Sequence, residues 1–380
     1  MMRIYYVANA RMPTEKAHGI QIAKMCEALI EQGADVELIV PRRHTDTRSV
    51  KEFYGLRVDV PMTYLWTPDW YDKGRIGYWI SSLFFMFGYS RYLRRKKKDA
   101  NPPMIWTIDI DQFSFCLVPF VGMPYLAEIH DAKSWSVSFA FLLRHACRII
   151  VINDIIRREL HEAFSIAMDR FLVCPNGVDL GLFRVLPKDE SRSKLYVPAH
   201  IRMALYVGRF YPWKELKILA DAAYALRGIY LYIVGGSADE FQRVTGAPDI
   251  PDNLIFAGEK GFSEIPLWLA AADVFIVCGT QRNDYSRLHT SPMKLFEYMA
   301  MGFNHAIVAS DTPANRQILS DEEATFYEAD SAEDLAKKIR YVFDYPSEAM
   351  HRKGGEALKK VQAFTWEKRA SAILKTFQHS

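Results

Sequence analysis

Short apolar runs alternate with longer amphipathic stretches along the chain, and that pattern leaves few architectures open. It is the signature of parallel sheets covered on both faces by helices. In the first half the strand candidates are 4–8, 35–41, 104–108, 125–129, 148–152 and 171–174. Between the first two lies a helical pattern over 20–32. Its apolar face holds Ile22, Ala23, Cys26, Leu29 and Ile30, with Lys24, Glu27 and Glu31 opposite and a stop at Gly33. Together these form a βαβ opening unit. After a polar, proline-bearing stretch over 187–198 the pattern restarts, with strands expected at 203–207, 230–234, 254–257, 274–277, 306–309 and 325–327. That stretch is the expected linker, giving a first domain over 1–186, a second over 187–358, and a cleft between two sheets. A last helical pattern runs over 355–378.

At 380 residues the chain is too long for one ordinary core and suits two domains. A formal net charge of +3 is too small to imply nucleic acid as partner. The five cysteines (Cys26, Cys116, Cys147, Cys174, Cys278) are scattered and form no Cys-x-x-Cys pair, which speaks against a disulfide framework or a zinc site and for a reducing cytosol. The N-terminus goes directly into a strand and shows no export signal. The aromatic run 76–89 is too short to span a bilayer. It is followed by Arg91, Arg94, Arg95, Lys96, Lys97 and Lys98. It reads either as a core helix whose basic end suits the helix dipole, or as a peripheral contact with anionic lipid at the inner face of a plasma membrane.

The segment 291–311 carries the most chemistry. Thr290 and Ser291 can cap a helix, Pro292 suits its first turn and Gly302 ends it, so free N–H groups near Ser291 to Lys294 would face an anion. Glu297 falls within two turns of that start. The strand over 203–207 runs into Gly208 and Arg209, with Lys214 a few residues on, placing cations on a loop at a strand's carboxyl end, where open α/β sheets bind ligands. A departing diphosphate needs such charge. Gly235-Gly236-Ser237 forms a second strand-end turn. Gly19, between the first strand and helix, permits close approach of a phosphate or sugar, although no G-x-G-x-x-G is present to support a dinucleotide. His130 and Asp131 end the strand over 125–129, where they can bind sugar hydroxyls or polarise a reacting group. Asp109 and Asp111 imitate an Asp-x-Asp metal site, but no third ligand lies nearby and no metal is expected.

Taken in order, these residues resemble the retaining glycosyltransferases of family 4. The likeness runs through Gly19, His130-Asp131, Pro175-Asn176-Gly177-Val178-Asp179 with Phe183, Gly208-Arg209 to Lys214, the 291–311 segment, and Phe364 to Ala370. It implies the GT-B fold: α/β, two Rossmann-like domains facing a central cleft, and a closing helix, 359–380, that returns to the first domain. It also implies transfer of a sugar from a nucleoside-diphosphate donor with retained configuration, no required metal and no cofactor. The donor would be a UDP- or GDP-sugar, its base left open. Arg209 and Lys214 would hold the diphosphate, joined by amides around Ser291, Pro292, Met293, Lys294 and Leu295, and Glu297 would bind the ribose. Gly19 would let the backbone approach the donor, His130 with Asp131 would line the transferred sugar, and the loop 258–262, with Gly258 and Lys260, would hold the base. Retention is usually explained by front-face attack, in which a donor phosphate oxygen takes the acceptor's proton. Many members carry two glutamates separated by seven residues, and here the first falls on His289, which leaves the sugar unassigned. His289 can still donate to a hydroxyl or phosphate. The expected activity is extension of a bacterial-type surface glycan on a lipid-linked or otherwise membrane-bound acceptor. A GT-B sugar-nucleotide epimerase and a catalytically silent nucleotide-sugar-binding homologue are the alternatives.

Overall fold

A computed structural model of the chain describes residues 2–43, 48–97, 103–109, 111–344 and 347–378. The chain divides into two units, Met1–Asn176 with Trp366–Ser380, and Gly177–Thr365.

The first unit is built on a seven-stranded parallel sheet of order β3-β2-β1-β4-β5-β6-β7. Its strands are β1 (Arg3–Val7), β2 (Asp35–Pro41), β3 (Met62–Leu65), β4 (Met104–Ile108), β5 (Tyr125–Ile129), β6 (Arg148–Val151) and β7 (Phe171–Val173). The second unit carries a six-stranded parallel sheet of order β10-β9-β8-β11-β12-β13. Here the strands are β8 (Arg202–Val207), β9 (Ile229–Val234), β10 (Leu254–Gly258), β11 (Val274–Val277), β12 (Ala306–Ser310) and β13 (Thr325–Tyr327). In each sheet the strand order reverses beside the first strand, at β1/β4 and at β8/β11. Chains leaving the carboxyl ends there diverge and open a crevice for a ligand. Both units are thus Rossmann-like, and the expected strands sit within a residue or so of their places.

The departures have local causes. β3 was not anticipated: it is a four-residue edge strand whose side chains stay partly exposed, so it leaves no buried apolar run to read. The expected linker over 187–198 contains a helix, Lys188–Lys194, that belongs to the second unit. Its Arg192 is buried, donating to the carbonyls of Ala271 and Ala199 and pairing with Asp273 at 2.9 Å. The boundary falls instead at Asn176/Gly177.

The helical pattern over 355–378 is broken as well, into Ser347–Val361 in the second unit and Trp366–Gln378 in the first. Between them Phe364 accepts a hydrogen bond from Val178 N–H at 2.9 Å and Thr365 bridges Val178, which takes that backbone out of helix. The closing helix Trp366–Gln378 packs on the first helix, Ala17–Glu31, and so covers its second face. Lys24 and Glu27, expected on an open polar face, are consequently buried, and they pair at 2.9 Å. No helix among the described residues is long and apolar enough to cross a membrane.

Candidate functional site

Chemistry-bearing side chains gather at the carboxyl edge of each sheet. In the second unit β8 leads into Gly208, whose φ of +142° lies where side chains are rarely accommodated. A Cβ there would stand 3.5 Å from the Lys294 ammonium and 3.6 Å from that of Lys214, so two cations converge on one stretch of bare backbone. Lys294 Nζ donates to the Val207 carbonyl at 3.1 Å and sits 3.9 Å from the centroid of the Tyr206 ring. Lys214 donates to the Arg209 carbonyl at 2.8 Å, with the rings of Tyr211 and Trp213 at 4.9 and 5.4 Å. Burial, reinforced by Lys294 and Arg209, pushes the Lys214 ammonium well below its ordinary pKa. Burial lowers Lys294 to about 8, against the opposing pull of Cys278 and Glu297. Carbonyl dipoles and ring faces ease these charges but do not neutralise them. Arg209 differs, because its guanidinium is paired with Glu259 at 3.0 Å.

Lys294 and Glu297 stand on the helix Met293–Met301, which Gly302 terminates as expected. The expected cap is not made. Pro292 occupies the N-cap position with no side-chain cap, while the Thr290 hydroxyl donates back to the Ser286 carbonyl at 3.3 Å. Leu295 N–H turns onto Pro292 O at 3.0 Å, so Met293 and Lys294 present the first-turn amides without a capping side chain. Ser291 is buried beside them. Glu297 lies one turn further in, and burial raises its carboxyl to about 8 despite Lys294 nearby. The Tyr298 hydroxyl accepts from Val207 N–H at 3.0 Å and so fixes the helix to the end of β8. His289, the residue at the first glutamate position, is buried in a short π-helical turn, Tyr285–His289.

Two of the expected site glycines also have an internal reason to be glycine. A Cβ on Gly235 would overlap the Gly208 carbonyl and crowd Arg209 N, so Gly235 is glycine because β8 and β9 end against each other. Gly208 N–H donates to Val234 O and Gly235 N–H to Gly258 O, stitching three strand ends together. Gly258, at φ +76°, has open space where a Cβ would lie, and Lys260 is exposed with its ammonium 5.8 Å from the centroid of the Trp268 ring. Gly19 shows the same internal logic in the first unit. The Tyr54 hydroxyl and Thr14 fill the place its side chain would take.

The edge of the first unit is organised around Glu128, a fully buried carboxylate in β5. It accepts from Arg369 at 2.6 Å, Trp106 Nε1 at 2.7 Å and Gln21 at 3.0 Å, with the Tyr6 hydroxyl at 3.4 Å. His130 Nε2 also meets it, at 2.7 Å. Burial alone would push Glu128 up, but Arg369, His130 and Trp106 outweigh it and hold the carboxyl down to about 2. The carboxylate thus fixes the His130 ring through Nε2, which the Gln21 amide also approaches at 3.1 Å. Asp131 follows, accepting from Ala132 N–H at 2.8 Å. Nearby, burial and Lys16 lower His18 to about 4.

The Asp-x-Asp pair is taken up by protein. Asp109 accepts from His130 N–H at 2.8 Å and pairs with Lys133, while Asp111 accepts from Phe113 and Ser114 amides, the Ser114 and Tyr78 hydroxyls, and Asn9. No cluster that could hold a metal occurs among the described residues. Glu128, Arg369, Gln21 and the Lys294 ammonium were not anticipated as site groups. For Lys294 only the backbone amide was.

Residues 202–344, within the second unit, match the family model for glycosyl transferases group 1. A D-inositol 3-phosphate glycosyltransferase of Kineococcus radiotolerans is 24% identical over 260 residues, 62% of this chain and 58% of that protein. Its counterpart in Thermobispora bispora is 39% identical over 135 residues, 32% of each chain. The matched stretches therefore span about half or less of these relatives' length. Three solved structures share the fold at low identity. Sucrose-phosphate synthase of Thermosynechococcus elongatus superimposes with a TM-score of 0.75 at 19% identity, covering 100% of this chain and 99% of that one. A glycosyltransferase of Rickettsia africae gives 0.76 at 17%, covering 100% and 98%. HepE of Anabaena, solved in complex with UDP-glucose, gives 0.73 at 16%, covering 100% of both chains. The chain resembles the GT-B glycosyltransferases of family 4.

Proposed function

We propose that the chain is a retaining glycosyltransferase that moves a sugar from a UDP- or GDP-sugar to a glycan or lipid-linked acceptor in cell-surface polysaccharide synthesis, working from the cytosol. The observation that carries this reading is the convergence of the Lys214 and Lys294 ammoniums on Gly208, beside a helix start with no capping side chain. Two desolvated cations for which no carboxylate salt bridge occurs among the described residues are costly, and a diphosphate is the ligand that removes the cost. The relatives support it. HepE of Anabaena is solved with UDP-glucose, and the inositol-phosphate enzymes are named for glycosyl transfer.

In this reading the second unit holds the nucleotide. Lys214, Lys294 and the Met293 and Lys294 amides take the diphosphate, Glu297 receives ribose hydroxyls, and the loop beyond Gly258 faces the base. The acceptor oxygen bonds to the anomeric carbon as the bond to the β-phosphate oxygen breaks. The electron pair leaves with the nucleoside diphosphate, and a phosphate oxygen takes the acceptor's proton. The lysines stabilise the charge that develops on the leaving group, the role a metal fills elsewhere. His130, held by Glu128, is assigned to the transferred sugar.

The test is calorimetric titration with UDP-glucose and GDP-mannose, followed by a turnover assay in EDTA. Saturable binding of one donor and release of its nucleoside diphosphate without added metal is the expected result. Binding with no turnover on any glycan or lipid-linked acceptor would reduce the protein to a nucleotide-sugar binder, and restoration of activity only by Mn²⁺ would overturn the metal-free step.

A further inference from the structure

The helix Gly74–Lys96 in the first unit is apolar on both its inward and its outward face. Its inward face buries Phe85, Met86, Tyr89 and Leu93 in the core together with Ser81 and Ser82, while on the outward face Phe84 is 46% and Phe87 66% exposed. A helix that only had to cover a core would carry polar residues on that outward face. The inward serines have partners. Ser82 accepts from Asn9, just beyond β1, at 2.9 Å, and Ser81 donates to Pro68 O at 2.7 Å.

The outward stripe has no such explanation. Ile76, Trp79, Leu83, Phe84 and Phe87 recur at helical spacing and run straight into the exposed Arg91, Arg94 and Arg95. Neighbouring loops extend the apolar surface. Trp66 meets Phe84 edge-on at 5.6 Å, and Trp79 stacks on Phe113 at 5.5 Å. At the basic end Phe87, Leu117 and Ser90 line a cavity of about 550 Å³ whose rim is Arg91, Arg94 and Arg95. The helix contains no acidic residue. Lys98, the last of the basic run, lies outside the described residues.

We infer that this face lies in the surface of an anionic phospholipid bilayer, its aromatic stripe in the acyl boundary and its arginines on lipid phosphates. An exposed apolar stripe continuous with guanidiniums and free of carboxylates matches the layering of such an interface, apolar below and negative above. The inward face of the same helix touches the loops beyond β1 and β4, through Asn9–Ser82 and Asp111–Tyr78, at the sheet edge that carries His130. A bilayer bound here would bring a membrane-held acceptor to that edge. Only this last step rests on the proposed transfer reaction; lipid binding itself does not.

The experiment is co-sedimentation of the full chain with vesicles of phosphatidylglycerol, and with vesicles of phosphatidylcholine alone. Two variants accompany it: Trp79→Ser with Phe84→Ser and Phe87→Ser, and Arg91→Gln with Arg94→Gln and Arg95→Gln. The wild type should bind phosphatidylglycerol, release in salt, and show a blue shift of tryptophan emission that Trp79→Ser diminishes. Loss of the three arginines should weaken binding on the order of 100-fold, from about 1 kcal/mol per cation. Loss of the three aromatics should abolish the emission shift, with thermal unfolding unchanged because the positions are exposed. A wild type that ignores phosphatidylglycerol vesicles, or variants that bind as well as it does, would overturn the inference. So would a dimer that the aromatic variant dissolves. UDP-glucose titration of the same samples, without vesicles, reports the transfer reading separately.

Discussion

The two strand-end clusters use charge in opposite ways. At the edge of the first unit the central charge is fully partnered: Glu128 is met by Arg369, Trp106, Gln21 and His130. At the edge of the second unit Lys214 and Lys294 lean on carbonyls and ring faces, and the carboxyl beside Lys294, Glu297, is itself pushed toward its neutral form. A satisfied network holds geometry, and an unsatisfied one holds affinity. On the proposed function, the first edge orients and the second receives the donor's diphosphate.

The largest effect expected from breaking the contrast is on folding. Arg369→Met strands a buried carboxylate and should cost about 3–5 kcal/mol in chemical unfolding, whereas Arg369→Met combined with Glu128→Leu should recover much of it. Glu128 also sets an acid limit. Its carboxyl is held at about 2 in the fold, below the ordinary 4.5, so its stabilisation is complete above the ordinary value and fades as pH falls toward 2. Glu128→Gln should flatten that limb of the unfolding profile.

Next in size, Lys214→Ala and Lys294→Ala should each lower turnover about 100-fold, the scale of losing one donor to a developing oxyanion. Arg209→Ala should cost less, since its guanidinium is already committed to Glu259. Equal losses for Arg209 and the lysines would remove the distinction. Glu297→Gln should weaken nucleotide binding roughly tenfold through hydrogen bonds to a charged acceptor. An affinity unchanged in a folded variant would remove Glu297 from the ribose.

The smallest effect is a proton count. A bound diphosphate favours charged lysines, so above about 8 nucleotide binding should take up protons at Lys294. Ribose hydroxyls favour ionised Glu297, whose carboxyl rests at about 8, so below that pH it should release one. Titration in buffers of different ionisation enthalpy measures the difference, and Glu297→Gln should shift it toward uptake at neutral pH.

These contrasts mark what the sequence discloses. Strands buried on both faces announce themselves as apolar runs, and every one of those was legible; β3, half exposed at an edge, was not. His130, Arg209, Lys214 and Glu297 stood at strand ends or helix starts, where local pattern points. Glu128 sat inside an apolar strand, and its partners Tyr6, Gln21, Trp106 and Arg369 are scattered along the chain, so nothing local marked it. Lys294 drew notice for its amide because its ammonium reaches Val207, 87 residues earlier. Gly19 and Gly235 illustrate a different limit. A glycine looks the same whether the atom pressed against it belongs to a ligand or to the protein's own Tyr54 or Gly208.

The placement of the closing helix gives the first unit an unusual history during synthesis. Glu128 leaves the ribosome 241 residues before Arg369, the guanidinium that meets it. At about 5–20 residues per second that interval is on the order of ten to fifty seconds. Throughout it, the first sheet has the Glu128 carboxylate in its interior, met by His130, Trp106 and Gln21 but not by its guanidinium. The first unit is therefore completed only after the second, Gly177–Thr365, has been synthesised, and its buried edge gains its guanidinium last.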